Sequence, residues 1–193
     1  NGWDTFQHHI GWEFFRHAPF TFPFGINQSY GYPIGIPLTY TDSLPLFAFI
    51  FKIFSAWLPV SFQYQGIWIL LCLVLQGIFG FLLLHQYTRR KILSLVGSIF
   101  FLVAPIMHFR IPGHAPLAGH WLLLLSLWLI LKHSKKLLTW QWSLVLVLSL
   151  LIHPYFLFMC GALMLAHVGR VWFVEKHVNW KQLGIFLAIQ LIL

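Results

Sequence analysis

Acidic residues are nearly missing from this chain: four Asp and Glu stand among 193 residues, against twelve Lys and Arg. Charged residues make up only 8% of the whole, where a soluble domain carries about a quarter. A water-coated globule is therefore excluded. Cysteine is as scarce. Cys72 and Cys160 each sit inside an apolar run, which leaves no disulfide framework and no metal-type cysteine spacing, and both read as small hydrophobes. No glycine-rich nucleotide loop, serine-nucleophile elbow or Asp-x-Asp pair occurs, so chemistry with a soluble nucleotide has no support.

What is abundant is apolar: 59% of the residues are hydrophobic, and several runs approach the roughly 20 residues a helix needs to cross a bilayer. The chain reads as a polytopic integral membrane protein whose first partner is lipid. A net charge of +8 would suit nucleic acid, but the basic residues fall in short clusters between apolar runs, where cytoplasmic loops carry them. No nucleic-acid partner is called for. The chain opens at Asn1 and closes at Leu193 within "LGIFLAIQLIL", the pattern expected of a fragment truncated at both ends, and it shows no signal-peptide pattern.

The clearest span is Tyr64 to His85, followed by Arg89, Arg90 and Lys91. Ile92 to Met107 returns, ending in the loop "HFRIPGHAPLAGH", whose prolines and glycines stop a helix. Ala115 to Leu131 comes back to "KHSKK" at Lys132 to Lys136. The stretch Leu137 to Val174 is read as two shorter helices meeting at Pro154, because proline removes a backbone donor and one unbroken span would violate the charge rule. With this topology Arg89, Arg90, Lys91, Lys132, Lys135, Lys136, Arg170, Lys176 and Lys181 are cytoplasmic with a single acid, Glu175, while Asp4, Glu13, Arg16, Asp42 and Arg110 lie outside. The segment Ser43 to Pro59 carries Lys52 at its middle and is short for a span, so it is expected to be an interfacial or re-entrant helix with Lys52 snorkelling to water. The expected organisation is a long periplasmic first loop over residues 1–60 containing interfacial helices, then a transmembrane helical bundle over 61–193, all-α in class.

Polar chemistry gathers on the outer side. Trp3 to Arg16 predicts an amphipathic helix with Asp4 one turn before His8 and His9 one turn before Glu13. Its aromatics suit a helix lying on the bilayer with solvated charges; a metal site from His9, Glu13 and His17 is the alternative. The rest of the loop, rich in Gly, Pro and Tyr, suits a folded cap whose Tyr30, Tyr32 and Tyr40 either stack on a sugar ring or anchor the cap. His108, Arg110, His114 and His120 follow in the second outer loop. A guanidinium beside histidines at a bilayer surface suits a phosphate, and equally suits lipid headgroups. His153, directly before a helix break, is expected to face a cavity, or else to satisfy backbone freed by Pro154.

The stretches "WDTFQHHIGWEFFR", "FPFGINQSYGYP", "YTDSLPLFAFIFKIF", "FQYQGIWILLCLVLQG" and "GHAPLAGHWLLLLSLWL" together resemble a family of bacterial integral-membrane proteins without an assigned reaction. That family looks allied to the GT-C superfamily of membrane glycosyltransferases, which use polyprenyl-phosphate sugars. The resemblance covers nearly all of the chain. It implies a GT-C-like fold in the bacterial inner (plasma) membrane, with a span missing before Asn1. It also implies an essential acid near the start of the first loop, which falls on Asp4, with Glu13 next. A carboxylate would take a proton from the acceptor hydroxyl, and Arg16, His108, Arg110, His114 and His153 would bind a polyprenyl-phosphate sugar donor, cations stabilising the departing phosphate. Asp4 is followed by Thr5 and has no acidic neighbour before Glu13, which departs from the paired acids of many GT-C enzymes. The cofactor is left unknown, with a divalent cation as one option. A transporter or flippase of lipid-linked glycans and a non-catalytic membrane scaffold are the other readings.

Overall fold

The computed structural model of the chain describes residues 3–41, 43–137, 139–176 and 184. Among them, eight helices run in the order α1 (Trp3–His17), α2 (Pro45–Ile53), α3 (Gln65–Thr88), α4 (Lys91–Leu102), α5 (Pro105–Gly113), α6 (Trp121–Lys132), α7 (Thr139–Ile152) and α8 (Pro154–Glu175). Single 3-10 turns occupy Ser55–Trp57 and Ala115–Ala118. The fold is a helical bundle, as expected, with one addition: strands β1 (Ile26–Asn27) and β2 (Ile36–Pro37) pair antiparallel within the first loop, Ile26 opposite Pro37. Three segments are long and apolar enough to cross a membrane, α3, Ala115–Lys132 and α8, and a fourth is reached if α4 and α5, bent by 44° from each other, count as one span. Asp42 and Lys181, placed above by sequence, lie outside the described residues, as does the side chain of Asp4.

The expected span Ile92 to Met107 is broken. Ala104 adopts an extended ψ of 127° ahead of Pro105, which opens α5 at its first turn; the residue before a proline is driven out of the helical region, and the proline itself suits a helix start. The prolines and glycines of "HFRIPGHAPLAGH" do not stop this helix at once either. α5 runs to Gly113 with Pro112 in its last turn, so His108 and Arg110 stand on a helix rather than a loop.

The break at Pro154 is where the sequence puts it. Only His153 separates α7 from α8, and its Nδ1 accepts from the backbone N–H of Tyr155 at 3.2 Å, capping the new helix. The two helices fold back on each other, because Trp142 Nε1 donates to His167 Nδ1 at 3.1 Å. They are not both short, however: α8 is 22 residues and qualifies alone as a span.

Lys52 corrects the snorkelling reading. Its side chain is buried, and its Nζ donates to Phe15 O and to Ala18 O, the latter at 2.6 Å. The last carbonyls of a helix have no partner within it, and an ammonium there also meets the negative end of the helix dipole. α2 therefore delivers the C-terminal cap of α1, across 34 residues. Burial pulls the Lys52 ammonium below its ordinary pKa.

α1 does not lie free on a surface. His8, Trp12, Phe15 and Arg16 are all buried, a spacing of four, three and one that makes one continuous helical face. Trp12 packs edge-on against Tyr64, ring centres 5.0 Å apart, and donates to Phe62 O at 3.1 Å. From there one hydrophobic core runs through Phe47, Tyr64 and Trp68 to Ile152 and Phe156 of the bundle. Trp68 Nε1 donates to Ala115 O at 2.7 Å, so α3 and the segment leading to α6 start together. At the opposite end His167 bonds to His133 O at 3.1 Å. The basic turns, Arg89 to Lys91 and Lys132 to Lys136, thus share the end away from α1.

Candidate functional site: the polar end of the bundle

Sequence position already sets most of this site. His8 falls on the buried face of α1, and its Nδ1 meets Thr41 O at 3.1 Å. A carbonyl only accepts, so Nδ1 carries the proton and Nε2 carries the lone pair. The neighbouring hydroxyls lock this arrangement: Thr41 Oγ1 and Ser43 Oγ are 2.7 Å apart, Ser43 Oγ reaches His8 O at 3.2 Å, and Tyr64 Oη donates to Ser43 O.

His8 is 1% exposed, yet among the described residues its Nε2 has no partner, and neither does Nε2 of Gln65 at the start of α3. Both residues line one small cavity, closed by Leu44, Tyr64, Trp68, Ala115 and Pro116. Its volume of ≈ 10 Å³ is at the threshold for one water. Tyr64 and Trp68 have already spent their donors on carbonyls. What remains is one acceptor and one amide donor, the pair that a single water satisfies. A high-resolution structure of the protein is expected to show an ordered water within hydrogen-bond reach of both Nε2 atoms; a dry cavity would refute this.

The residues singled out from sequence fall into separate groups. Asp4 occupies the first turn of α1, four residues before His8 and hence on the same helical face. Glu13 accepts from Gln63 Nε2 at 3.1 Å and faces His17 Nε2 at 3.6 Å, which ties it to the connection before α3. Arg16 is buried, and its guanidinium donates to four carbonyls, Pro59 O at 2.8 Å, Val60 O at 3.0 Å, Ser55 O at 3.1 Å and Leu58 O at 2.8 Å. That use is structural: it stitches the turn after α2 onto α1.

His108 and Arg110 lie on α5, which packs against α1. His108 is exposed and Arg110 half-buried. His120, one residue before α6, sets its ring edge-on to Phe156 at 6.1 Å, with its buried Nδ1 unpartnered. His114 closes the C-terminus of α5, its backbone N–H reaching Arg110 O at 2.8 Å. His153 caps α8, its ring 4.7 Å from that of Tyr155. Among the described residues no group of three His, Cys, Asp or Glu is placed to hold a metal ion; His9 does not join Glu13 and His17.

Sequence reasoning therefore found the helix but not its most constrained polar residue. His8 reads as one histidine of eleven; its place on the 8, 12, 15 spacing was the available signal. Gln65 carried none, since an amide at a span start is ordinary.

Fold and site together define a helical chain with, among the described residues, up to four membrane-length spans and one polar end built from α1, α5 and the turn before α6. The model of a domain of unknown function, DUF6311, matches residues 1–193, and the chain belongs to that family. No curated protein and no solved structure matches it.

Proposed function

We propose that this chain belongs to a GT-C-like membrane glycosyltransferase that moves a sugar from a polyprenyl-phosphate donor to an envelope glycan or lipid. Its active face is periplasmic in the bacterial inner membrane, with the basic turns on the cytoplasmic side. The observation that carries this reading is the packing of α1, bearing Asp4, His8 and Glu13, against α5, bearing His108 and Arg110. Such a transfer needs a base for the acceptor hydroxyl and a cation for the phosphate leaving group. Here the carboxylate-bearing and guanidinium-bearing helices are neighbours. Asp4 is assigned the base. Arg110 is assigned the phosphate, because Arg16, the buried guanidinium on α1, is already engaged by four carbonyls. His108, His114 and His153 lie along the same end.

The test uses the full-length protein in lipid nanodiscs with a radiolabelled polyprenyl-phosphate sugar and a cell-envelope extract as acceptor. Asp4→Asn is expected to abolish label transfer while donor binding persists, and Arg110→Ala to weaken donor binding. Donor binding without transfer by the wild type, under varied acceptors and divalent ions, would favour a transporter or flippase. Neutral outcomes at Asp4, Glu13 and Arg110 together would favour a scaffold.

A further inference from the structure

From Ala18 to Thr41 the chain has no Asp, Glu, Lys or Arg, and from Ser43 to Thr88 Lys52 is the sole one. Lys52 is turned inward onto the carbonyls of α1, its Nζ 4.8 Å from the ring centre of Phe20. The other nearby cation, Arg16, is likewise consumed by the backbone behind this surface. Among the described residues the outward face is consequently without Asp, Glu, Lys or Arg. It is also strongly apolar: Phe22 is 83% exposed, Tyr32 86%, Ile34 88% and Trp57 78%, with Phe20 and Phe24 exposed beside them. Isolated apolar residues on a surface need no explanation, but a cluster of large ones of this kind marks an interaction site.

We propose that this apolar face, formed by residues 18–41 of the loop between α1 and α2 together with the turn after α2, is inserted into the headgroup and acyl boundary of the bilayer. Three observations select lipid over a protein partner. The exposed rings include Tyr and Trp, which settle at a membrane interface because one part is apolar and another tolerates water, beside Phe, which supplies the purely apolar surface that interfacial segments bury. A protein interface normally keeps a polar rim with charged pairs, and no Asp, Glu, Lys or Arg is exposed among the described residues of this segment. The face is also continuous with the outside of the bundle. Phe24 shares an apolar groove of ≈ 210 Å³ with Leu150 and Leu151 at the end of α7, so lipid against α7 meets the loop without crossing a polar strip. The cap therefore leans sideways into lipid instead of standing clear of it, and the two buried cations make this arrangement compatible with a neutral surface. The inference is independent of the proposed enzyme activity.

Collision accessibility of nitroxide labels tests it in the full chain, reconstituted in vesicles of phosphatidylethanolamine and phosphatidylglycerol. Cys72 and Cys160 are both buried, so the label reaches an introduced cysteine, with unsubstituted protein as the check. Phe22→Cys and Ile34→Cys are compared with Lys135→Cys in an exposed basic turn. At the first two sites oxygen, which concentrates in lipid, is expected to collide several-fold more effectively than a water-soluble nickel chelate, with the ratio reversed at Lys135→Cys. Nickel contact at both loop sites equal to that at Lys135→Cys would overturn the proposal in favour of a solvated loop. Exclusion of both reagents would overturn it in favour of a protein cover. The two sites report separately, so a failure of one variant to fold leaves the other decisive.

Discussion

Replacing Arg16 with alanine is expected to destabilise the protein by about 3–5 kcal/mol, the range seen when one side of a buried charged network is removed. Four carbonyls between Ser55 and Val60 now share its guanidinium. Hydrogen bonds to a charged group contribute about 1.5–3 kcal/mol each, but the four cannot be summed, since they share one desolvation cost. Arg16→Lys is expected to recover only part of the loss, because an ammonium has three donors on a single atom and cannot reproduce the planar fork. Thermal or denaturant unfolding in detergent reads the effect. The same variant separates two roles: a guanidinium that mainly bound substrate would lower activity at unchanged stability, and that result would refute the structural assignment.

Gly11→Ala should also be damaging, although helix propensity alone favours alanine by about 1 kcal/mol. Gly11 lies where α1 touches the loop, and an added Cβ would sit 2.5 Å from Cβ and Oγ1 of Thr41, both firmly held. Overpacking of this kind costs about 1–3 kcal/mol, occasionally more. Here it also forces α1 away from Thr41 and Ser43, breaking the bonds to His8. A net loss of about 2 kcal/mol is expected, with faster amide exchange throughout α1. Gly113→Ala is the control: nothing lies within 4 Å of the added carbon, so stability should barely change. Equal behaviour of the two variants would mean that α1 is not seated on the loop as described.

Much of the helical framework could be read from sequence because span length and breaks are local properties. The run from Tyr64 to His85 could hardly be anything but α3, and Pro154 breaks the chain through its own covalent chemistry. α1 was visible for a similar reason, in its spacing of aromatics. The misreadings concern where side chains go. Lys52 in an apolar segment has two physical escapes, outward to water or inward to free carbonyls, and the choice depended on α1 ending beside it, 34 residues away in sequence. Arg16 posed the same ambiguity and was resolved the same way. α5 escaped notice because its prolines read as breaks, whereas Pro105 starts the helix, where a missing N–H costs nothing, and Pro112 falls close enough to its end to interrupt a single bond. His8 and Gln65 meet only after α1, α3 and the turn at Ala115 have packed, and no local pattern encodes that meeting.

The single residue between α7 and α8 has a consequence for what the chain tolerates. With no slack at the bend, the register of α8 against α7 is fixed by covalent length alone. Adding one residue after His153 would turn α8 by about 100° about its axis, swinging His167 away from Trp142 and from the carbonyl of His133 and presenting a different stripe to the bundle. Loops usually absorb length variation; this corner has none to absorb, so it works as a ruler that sets which face of α8 looks inward along all 22 residues.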